Sequence, residues 1–204
     1  MRLLLATHNE HKRRELERLL PGYEIALLPD SVQLPPEDGE TFVENALGKA
    51  RVAARASGEA TIADDSGIAA AALGGAPGVR SARYAGEDAS DEQNLAKLLR
   101  EVPAGGALEY VCALVYVDPA AAVEQVFQAR CAGRLAERPR GEEGFGYDPA
   151  FLPEDGPPGL TMAELSASQK DAISHRGRAA RELQQWLQSR LKAAESPTAS
   201  DRPA

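Results

Sequence analysis

The chain has 204 residues, of which 43% are hydrophobic and 26% are charged, a composition typical of a globular protein with one sizeable core. Its 31 Asp and Glu outnumber its 23 Lys and Arg, and the net charge of -8 disfavours a nucleic-acid partner, whose phosphates require basic patches. No apolar run reaches the roughly 20 residues that cross a bilayer, and the first apolar run gives way to polar residues instead of continuing as a signal peptide. We therefore expect a cytoplasmic protein that binds neither nucleic acid nor membrane.

The chain opens with a strand, a helix and a loop. Residues 3–6 form a short apolar run, typical of a strand covered on both faces, and leucines at helical spacing follow within residues 16–20. Three prolines and several acids between residues 29 and 40 exclude a regular element and predict a surface loop.

The next segment combines a capped helix with a buried strand. Thr41 and Glu44 have the spacing of a capping box, which predicts a helix to about residue 57. Residues 60–63 predict a buried strand that leads into Asp64 and Asp65, after which Ser66 and Gly67 predict a turn within residues 64–67.

The middle of the chain predicts a helix followed by a hairpin. Residues 74–78 are a glycine-rich loop, and a capping box at residues 90–93 opens a helix to about residue 100. Two apolar runs, 108–117 and 122–131, flank Asp118 and Pro119 and predict two antiparallel strands. Cys112 and Cys131 lie in these runs without metal-ligand spacing, so buried free thiols are expected.

The last third contains a long loop and three helices. Residues 139–158 form the loop, and capping-box spacings at 161–164 and 166–169 predict two short helices. The final helix presents one apolar face to the core, made by Ala179, Leu183, Trp186, Leu187 and Leu191.

Interleaved helices and strands with one hairpin predict an α/β fold with a mixed central sheet flanked by helices. Residues 1–192 are expected to form a single domain. The segment 193–204 is rich in Ala, Ser and Pro and is expected to be a disordered tail.

An anion site is one interpretation of the loop between the first strand and the first helix. This loop contains Thr7, His8, Asn9, Glu10, His11 and Lys12. A helix N-terminus carries unpaired N–H groups and partial positive charge, to which Thr, Asn and Lys add donors. The glycines and the Gly-Lys-Ser/Thr end of a Walker loop are missing. The alternative, a polar loop in which Asn9 caps the helix, is favoured by these residues alone.

Adjacent carboxylates follow the buried strand. Successive strand residues point to opposite faces, so one of Asp64 and Asp65 can bind a metal while the other supports it. Carboxylate oxygens shared with substrate phosphates suit Mg²⁺. An aspartate-capped turn is an equally weighted alternative. Glu37, Asp38 and Glu40 could add a carboxylate, although such charges are more often simply solvated.

Aromatic and basic residues offer a base-binding surface. Phe145, Gly146, Tyr147 and Asp148 place two rings in a glycine-rich loop, which suits a stacking platform for a base, although a loop pinned to the core by its rings explains them too. Lys170, His175 and Arg176 surround the start of the last helix, where capping and surface charge are the simpler interpretation.

Taken together and in order, six segments resemble those of the inosine/xanthosine triphosphate pyrophosphatases. The segments are THNEHK at 7–12, ADDSG at 63–67, GGAPG at 74–78, SARYAG at 81–86, FGYDP at 145–149 and SHR at 174–176. They span roughly residues 1 to 190, and six ordered motifs are far more specific than any one of them.

This resemblance implies a homodimeric, two-lobed α/β enzyme with a central cleft. It would hydrolyse ITP, dITP, XTP and dXTP to the monophosphate and pyrophosphate with Mg²⁺, and so remove deaminated nucleotides. The rival functions are a pyrophosphatase for modified pyrimidine triphosphates and a nucleotide-binding sensor without hydrolysis.

The resemblance also assigns roles to individual residues. Residues 7–12 would hold the triphosphate, and Asp65 would be the general base and a metal ligand, with Asp64 in support. The family often has a metal-binding glutamate three residues before the glycine of the acidic loop, where this chain has Pro36 followed by Glu37. Either Glu37 or another acid takes that role. The remaining substrate contacts would come from Ser66, Phe145, Gly146, Tyr147, Asp148, Lys170, His175 and Arg176.

Overall fold

A computed structural model describes residues 1–29 and 31–195, which contain one mixed six-stranded sheet of order β2-β1-β3-β4-β5-β6. The strands are β1 Arg2–Leu5, β2 Glu24–Leu27, β3 Thr61–Ala70, β4 Ala107–Asp118, β5 Val123–Leu135 and β6 Phe151–Pro153. β1 is parallel to β2 and β3, and the remaining neighbours are antiparallel. The predicted α/β fold with a mixed central sheet is confirmed, as is the hairpin of β4 and β5.

Five α-helices accompany the sheet in the part of the chain that the structure describes. They are α1 Glu10–Leu19, α2 Phe42–Ser57, α3 Asp91–Glu101, α4 Ala167–Ile173 and α5 His175–Glu195. The predicted capping boxes before α2, α3 and α4 are all formed, each with both of its hydrogen bonds. Local capping chemistry therefore determined where these helices begin.

The helices cover both faces of the sheet. Leu16 of α1 and Leu183 of α5 belong to the same hydrophobic cluster as Leu3 of β1, and both are fully buried. On the opposite face, Ala50 of α2 belongs to a cluster with Leu4. Because alternate β1 residues face opposite sides, this strand is covered on both faces, as its continuous apolar run predicts.

A third hydrophobic cluster packs around the end of the sheet where β3 ends, β4 begins and β5 ends. It contains Ile68 of β3, Leu108 of β4 and Leu98 of α3, together with Phe151 of β6. The middle of β3 lies between this cluster and the other two. That position carries the two aspartates.

Several expectations about local structure are wrong. Ser66 and Gly67 do not form a turn, because β3 continues to Ala70 and pairs with β4 along its whole length. The edge strands β2 and β6 were not predicted, since both are short and lack a strong apolar pattern. Leu191 is 50% exposed and does not join the core face of α5.

Two further expectations concern the cysteines and the tail. Cys112 and Cys131 are both buried and free, as predicted. The final helix continues to Glu195, and residues 196–204 of the expected tail lie outside the described residues. Among the helices described, none has the length and apolar character needed to span a bilayer.

Candidate active site

A cavity of about 460 Å³ lies beside the middle of β3. Its walls come from the loop after β1, the acidic loop before α2, the 3₁₀ segment Gly78–Arg83, the loop around Phe145, and the starts of α4 and α5. Because Leu5 of β1 pairs with Ile62 of β3, the loop after β1 lies alongside the two aspartates. The volume falls in the range of small-molecule sites.

Most of the residues singled out from the sequence line this one cavity. They are Thr7, His8, Asn9, Lys12, Glu37, Asp65, Ser66, Phe145, Gly146, Tyr147, Asp148, Lys170, His175 and Arg176. Glu10, His11 and Asp64 are not among its lining residues. Glu10 instead pairs with two arginines on the outer surface of α1, and His11 stacks on the Phe145 ring with centroids 5.1 Å apart.

The N-terminus of α1 forms one end of the cavity. The Asn9 side chain accepts a hydrogen bond of 3.1 Å from the Lys12 backbone, and Thr7 Oγ1 accepts one of 3.1 Å from the Asn9 backbone. Asn9 therefore caps the helix, and the capped end faces the cavity together with the Lys12 side chain. The capping interpretation of this loop is confirmed, and the capped helix end has the chemistry that suits an anion.

Asp64 lies behind the cavity wall within a set of cations. Its carboxylate is fully buried, pairs with Lys12 and Arg176, and accepts a hydrogen bond of 3.1 Å from Cys112 Sγ. Burial opposes its ionisation, but Arg176 and Lys12 outweigh burial and hold the pKa of Asp64 well below its usual range. Asp64 is therefore a permanent anion that orients two cavity-lining cations.

Asp65 faces the opposite way and reaches the cavity. Its Oδ2 accepts a hydrogen bond of 2.9 Å from Asn45 Nδ2, and Lys49 Nζ lies 3.7 Å from Oδ1. Burial raises the pKa of Asp65, against the opposing charges of Lys49 and Lys12. A partly desolvated carboxylate with a raised pKa is suited to accept a proton.

Glu37 supplies a second carboxylate near Asp65. Lys49 Nζ pairs with the Glu37 side chain and donates a hydrogen bond of 2.8 Å to the Asp64 backbone oxygen. Burial works against the ionisation of Glu37, but the attraction of Lys49 lowers its pKa overall. Glu37 lines the cavity, whereas Asp38 and Glu40 do not.

The donor set can be tested against a metal ion. The described residues contain no cluster of three or more His, Cys, Asp or Glu side chains arranged to hold one. Glu37 and Asp65 nevertheless both face the cavity near one another. Mg²⁺ is usually bound by one or two carboxylates plus substrate phosphates and water, so two carboxylates beside a phosphate site fit it.

The other end of the cavity contains a network of buried charges. Lys170 Nζ donates hydrogen bonds of 2.6 Å to both Asp148 and Glu15, and Arg176 pairs with Glu15 and donates one of 2.7 Å to Ser66 Oγ. Both cations are almost fully buried. Every carboxylate and cation in the network has an opposite charge as a partner, which fixes the two cations in place.

Aromatic rings complete this end. The Phe145 ring has Lys170 Nζ 5.1 Å and Arg176 Cζ 5.7 Å from its centroid, so cations and a ring meet at one wall. Tyr147 is buried, and its hydroxyl donates a hydrogen bond of 2.7 Å to the Ser81 backbone oxygen. Tyr147 is therefore fixed to the core, whereas Phe145 lines the cavity beside the two cations.

His175 presents a nitrogen without a partner at the same wall. Burial and the neighbouring Arg176 lower its pKa well below the usual range, so the imidazole is neutral. Its Nδ1 is buried and lacks a hydrogen-bond partner among the described residues. The ring stacks on Tyr110 at 4.6 Å with an angle of 9° between planes. A buried polar atom of this kind is available to a ligand.

The residues that sequence reasoning missed include Glu15, Asn45, Lys49 and Tyr110. Glu15 follows Lys12 by three residues on α1, and Asn45 precedes Lys49 by four on α2, so each pair shares a helix face. On α2, polar residues on an otherwise alanine-rich buried face were the available signal. Tyr110 lies in an apolar strand, and nothing in the sequence distinguishes it.

Comparison with known proteins places this geometry in a family. The Ham1 family model matches residues 3–186, most of the chain. The chain belongs to the Ham1 family. The resemblance seen in the sequence motifs is thereby confirmed.

Two curated relatives and one solved structure are similar to most of this chain. A dITP/XTP pyrophosphatase from Halorhodospira halophila is 47% identical over 195 residues, covering 92% of this chain and 97% of the relative. One from Geobacillus kaustophilus is 48% identical, covering 90% and 93%. The solved Ham1 protein from Coxiella burnetii aligns with a TM-score of 0.81 at 36% identity, covering 93% of this chain and 99% of that chain.

Proposed function

We propose that this Ham1 protein hydrolyses deaminated purine nucleoside triphosphates, namely ITP, dITP, XTP and dXTP, to the monophosphate and pyrophosphate. One observation carries the proposal: a single cavity is lined by a capped helix N-terminus with Lys12, by the carboxylate of Asp65, and by the ring of Phe145 beside two buried cations. The names of the relatives support the same reaction.

The triphosphate is held at the N-terminus of α1. Thr7, Asn9 and Lys12 line this end, where the helix dipole favours negative charge. Lys12 Nζ also pairs with Asp64, which keeps the ammonium at the cavity wall. A phosphate arriving there meets a cation that is already oriented, so little ordering is required at binding.

Asp65 acts as the general base. It orients a water molecule toward the phosphorus and accepts its proton, a contribution typically worth about 10²–10⁴ in rate. Burial already raises the pKa of this carboxyl, which improves it as a proton acceptor. Lys49, 3.7 Å from Oδ1, keeps the carboxylate ionised before reaction.

Glu37 and Asp65 would hold Mg²⁺. Asp64 would support this site, because its side chain pairs with Lys12 and its backbone oxygen accepts a hydrogen bond from Lys49. When bound, the ion would polarise the attacked phosphoryl group and neutralise part of the charge on the pyrophosphate. Lys12 neutralises the same leaving group from the side of α1.

Base selection takes place among the buried cations. Hypoxanthine and xanthine carry an oxygen at position six, where adenine carries an amino donor. Lys170 uses two of its three N–H donors on Asp148 and Glu15, so one remains for that oxygen. The amino group of adenine would instead face the N–H donor of Lys170, and neither group would have an acceptor. Sites of this kind discriminate against the wrong base by a factor of roughly 10⁴–10⁵.

Two rival functions stay open to experiment. A pyrophosphatase for modified pyrimidine triphosphates would use the same phosphate end, but the ring of Phe145 and the donors of Lys170, His175 and Arg176 suit a larger oxo-purine. A nucleotide sensor without hydrolysis would have no need for a carboxylate held as Asp65 is.

The decisive experiment incubates the protein with Mg²⁺ and ITP, XTP, GTP, ATP or dTTP and measures pyrophosphate against orthophosphate. We expect pyrophosphate from ITP and XTP at rates far above those for ATP and dTTP, whereas the GTP rate measures whether the site also responds to the amino group at position two. A preference for dTTP would favour the pyrimidine function, and binding of ITP without product would favour the sensor.

Domain organisation, oligomeric state and cellular location belong to the same proposal. It treats residues 1–192 as one two-lobed domain around the cavity and places a homodimer in the cytoplasm, as the family resemblance implies. Light scattering of the purified chain would measure the mass, and twice the 21.7 kDa of one chain is expected.

A further inference from the structure

Asn45 lies on the buried face of α2 and is 4% exposed. Its side chain joins two parts of the site. The amide nitrogen donates a hydrogen bond of 2.9 Å to Asp65 Oδ2, and the amide oxygen accepts one of 2.8 Å from the Gly39 backbone. A single amide therefore links the general base to the loop that carries Glu37.

The contact at Gly39 requires glycine. A Cβ atom there would lie 2.7 Å from Asn45 Oδ1 and 2.9 Å from the Glu44 Cβ. Neither neighbour can move easily, because Asn45 is buried and Glu44 is engaged in the capping box of α2. The loop reaches Asn45 only because residue 39 has no side chain.

The hydrogen bond from Asn45 also distinguishes the two oxygens of Asp65. Oδ2 is occupied by the amide, whereas the nearest cation to Oδ1 is Lys49 at 3.7 Å, outside hydrogen-bond distance. Rotation of the carboxylate would exchange the two oxygens. The amide donor opposes that rotation and leaves Oδ1 for the incoming water.

We propose that Asn45 is a positioning residue, which sets the orientation of Asp65 and ties the acidic loop 37–40 to it. The inference rests on the proposed function, because it gives Asp65 the role of general base. Asn45 touches neither substrate nor water in this scheme. Its effect is confined to turnover, since the phosphate and base ends of the cavity are formed by other residues.

The test compares Asn45→Ala with Asn94→Ala. Asn94 is an equally buried amide of α3 that accepts a hydrogen bond of 2.8 Å from Ala85 N and donates one of 3.0 Å to Ala82 O. Both variants lose one accepted and one donated hydrogen bond, so a comparable fall in urea midpoint is expected. Removing a positioning residue behind a catalytic group typically costs 10- to 100-fold, so Asn45→Ala should lower kcat on ITP by about that factor with KM within about threefold. Asn94→Ala should keep kcat within about threefold of the unsubstituted protein.

A second pair of measurements separates anchoring from chemistry. Amide hydrogen exchange at Gly39 should become faster in Asn45→Ala and stay unchanged in Asn94→Ala, because only the former loses the acceptor. Gly39→Ala keeps Asn45 but displaces the loop, and it should lower kcat in the same direction. If Asn45→Ala does not fold, the kcat of Gly39→Ala tests the proposal instead.

The proposal is overturned if Asn45→Ala turns over ITP as fast as Asn94→Ala, or if exchange at Gly39 is unchanged. If the unsubstituted protein releases no pyrophosphate from ITP, the proposed function fails instead. The exchange rate at Gly39 still decides whether Asn45 anchors the loop, so the two failures are distinguishable.

Discussion

Replacing Glu15 by Gln tests whether its buried carboxylate holds the base end of the cavity together. Glu15 is largely buried on α1, and its two oxygens pair with Lys170 at 2.6 Å and with Arg176 at 2.5 Å. The amide of Gln has nearly the same shape but no charge, so both cations would lose a partner while the packing stays intact. Losing one member of a buried ion network is strongly destabilising.

The pKa of Glu15 supplies the magnitude. Burial opposes ionisation, but Arg176 and Lys170 outweigh it and lower the pKa from 4.5 to about 2. A difference of this size corresponds to about 3 kcal/mol of folding stability at neutral pH. For a chain of this length, a loss of that size lowers Tm by about 6–12 °C.

The pH dependence has a definite sign. Because the folded pKa lies below the unfolded value, the stabilisation is complete above about pH 4.5 and is lost as pH falls toward about 2. The difference in unfolding free energy between the native sequence and Glu15→Gln should therefore be large at pH 7 and shrink through this window.

Urea unfolding followed by circular dichroism at pH 7 and at about pH 3 measures both quantities. Glu17→Gln is the matched control, because Glu17 is an exposed α1 residue paired with Arg13. Its effect should stay below about 1 kcal/mol. A Tm for Glu15→Gln within about 2 °C of the native sequence, or a difference that does not change with pH, would refute the reasoning.

Three further predictions concern turnover, binding and packing. Asp65→Asn cannot accept a proton from water, so steady-state kinetics on ITP should show kcat reduced by about 10²–10⁴ with KM nearly unchanged, and normal turnover would remove Asp65 from the mechanism. Phe145→Leu loses the ring on which a base stacks, a contact worth about 1–3 kcal/mol, so KM for ITP should rise about 5- to 150-fold while kcat changes little; an unchanged KM would exclude stacking. Gly67→Ala would place a Cβ 2.6 Å from the backbone oxygen of Gly78, and urea unfolding should show a loss of about 1–3 kcal/mol. The control Gly48→Ala lies in α2, where the new methyl group would make only an ordinary van der Waals contact, 3.7 Å from Pro35 Cγ. This control should gain up to about 1 kcal/mol, so equal effects at the two glycines would contradict the packing argument.

Local signals in the sequence were sufficient for most of the elements. Capping boxes at Thr41, Ser90 and Ser166 located three helix starts, because the hydrogen bonds involved span only three residues and need no distant partner. The apolar runs of β4 and β5 predicted the hairpin, because the two strands follow one another directly in sequence and pair outward from Asp118 and Val123. The motifs also named most of the residues that line the cavity.

Strand pairings between distant segments depended on the tertiary structure. The strand at Asp65 continues to Ala70 instead of turning, because it pairs with β4, a distant segment of the chain, from Asp65↔Ala113 to Ala70↔Leu108. Edge strands β2 and β6 exist only as neighbours of β1 and β5, and their own sequences carry little periodicity.

In the site, too, the sequence determined the residue types and the fold determined their arrangement. The sequence by itself determined which side chains can bind phosphate, accept a proton or stack on a base, since those abilities belong to the residue types. Only the fold decided that Asp64 serves the cations while Asp65 faces the cavity, and that Glu15 and Asn45 belong to the site. The physical reason is that burial and charge pairing depend on groups brought together from distant segments, and these interactions set both the orientation and the ionisation of each carboxylate.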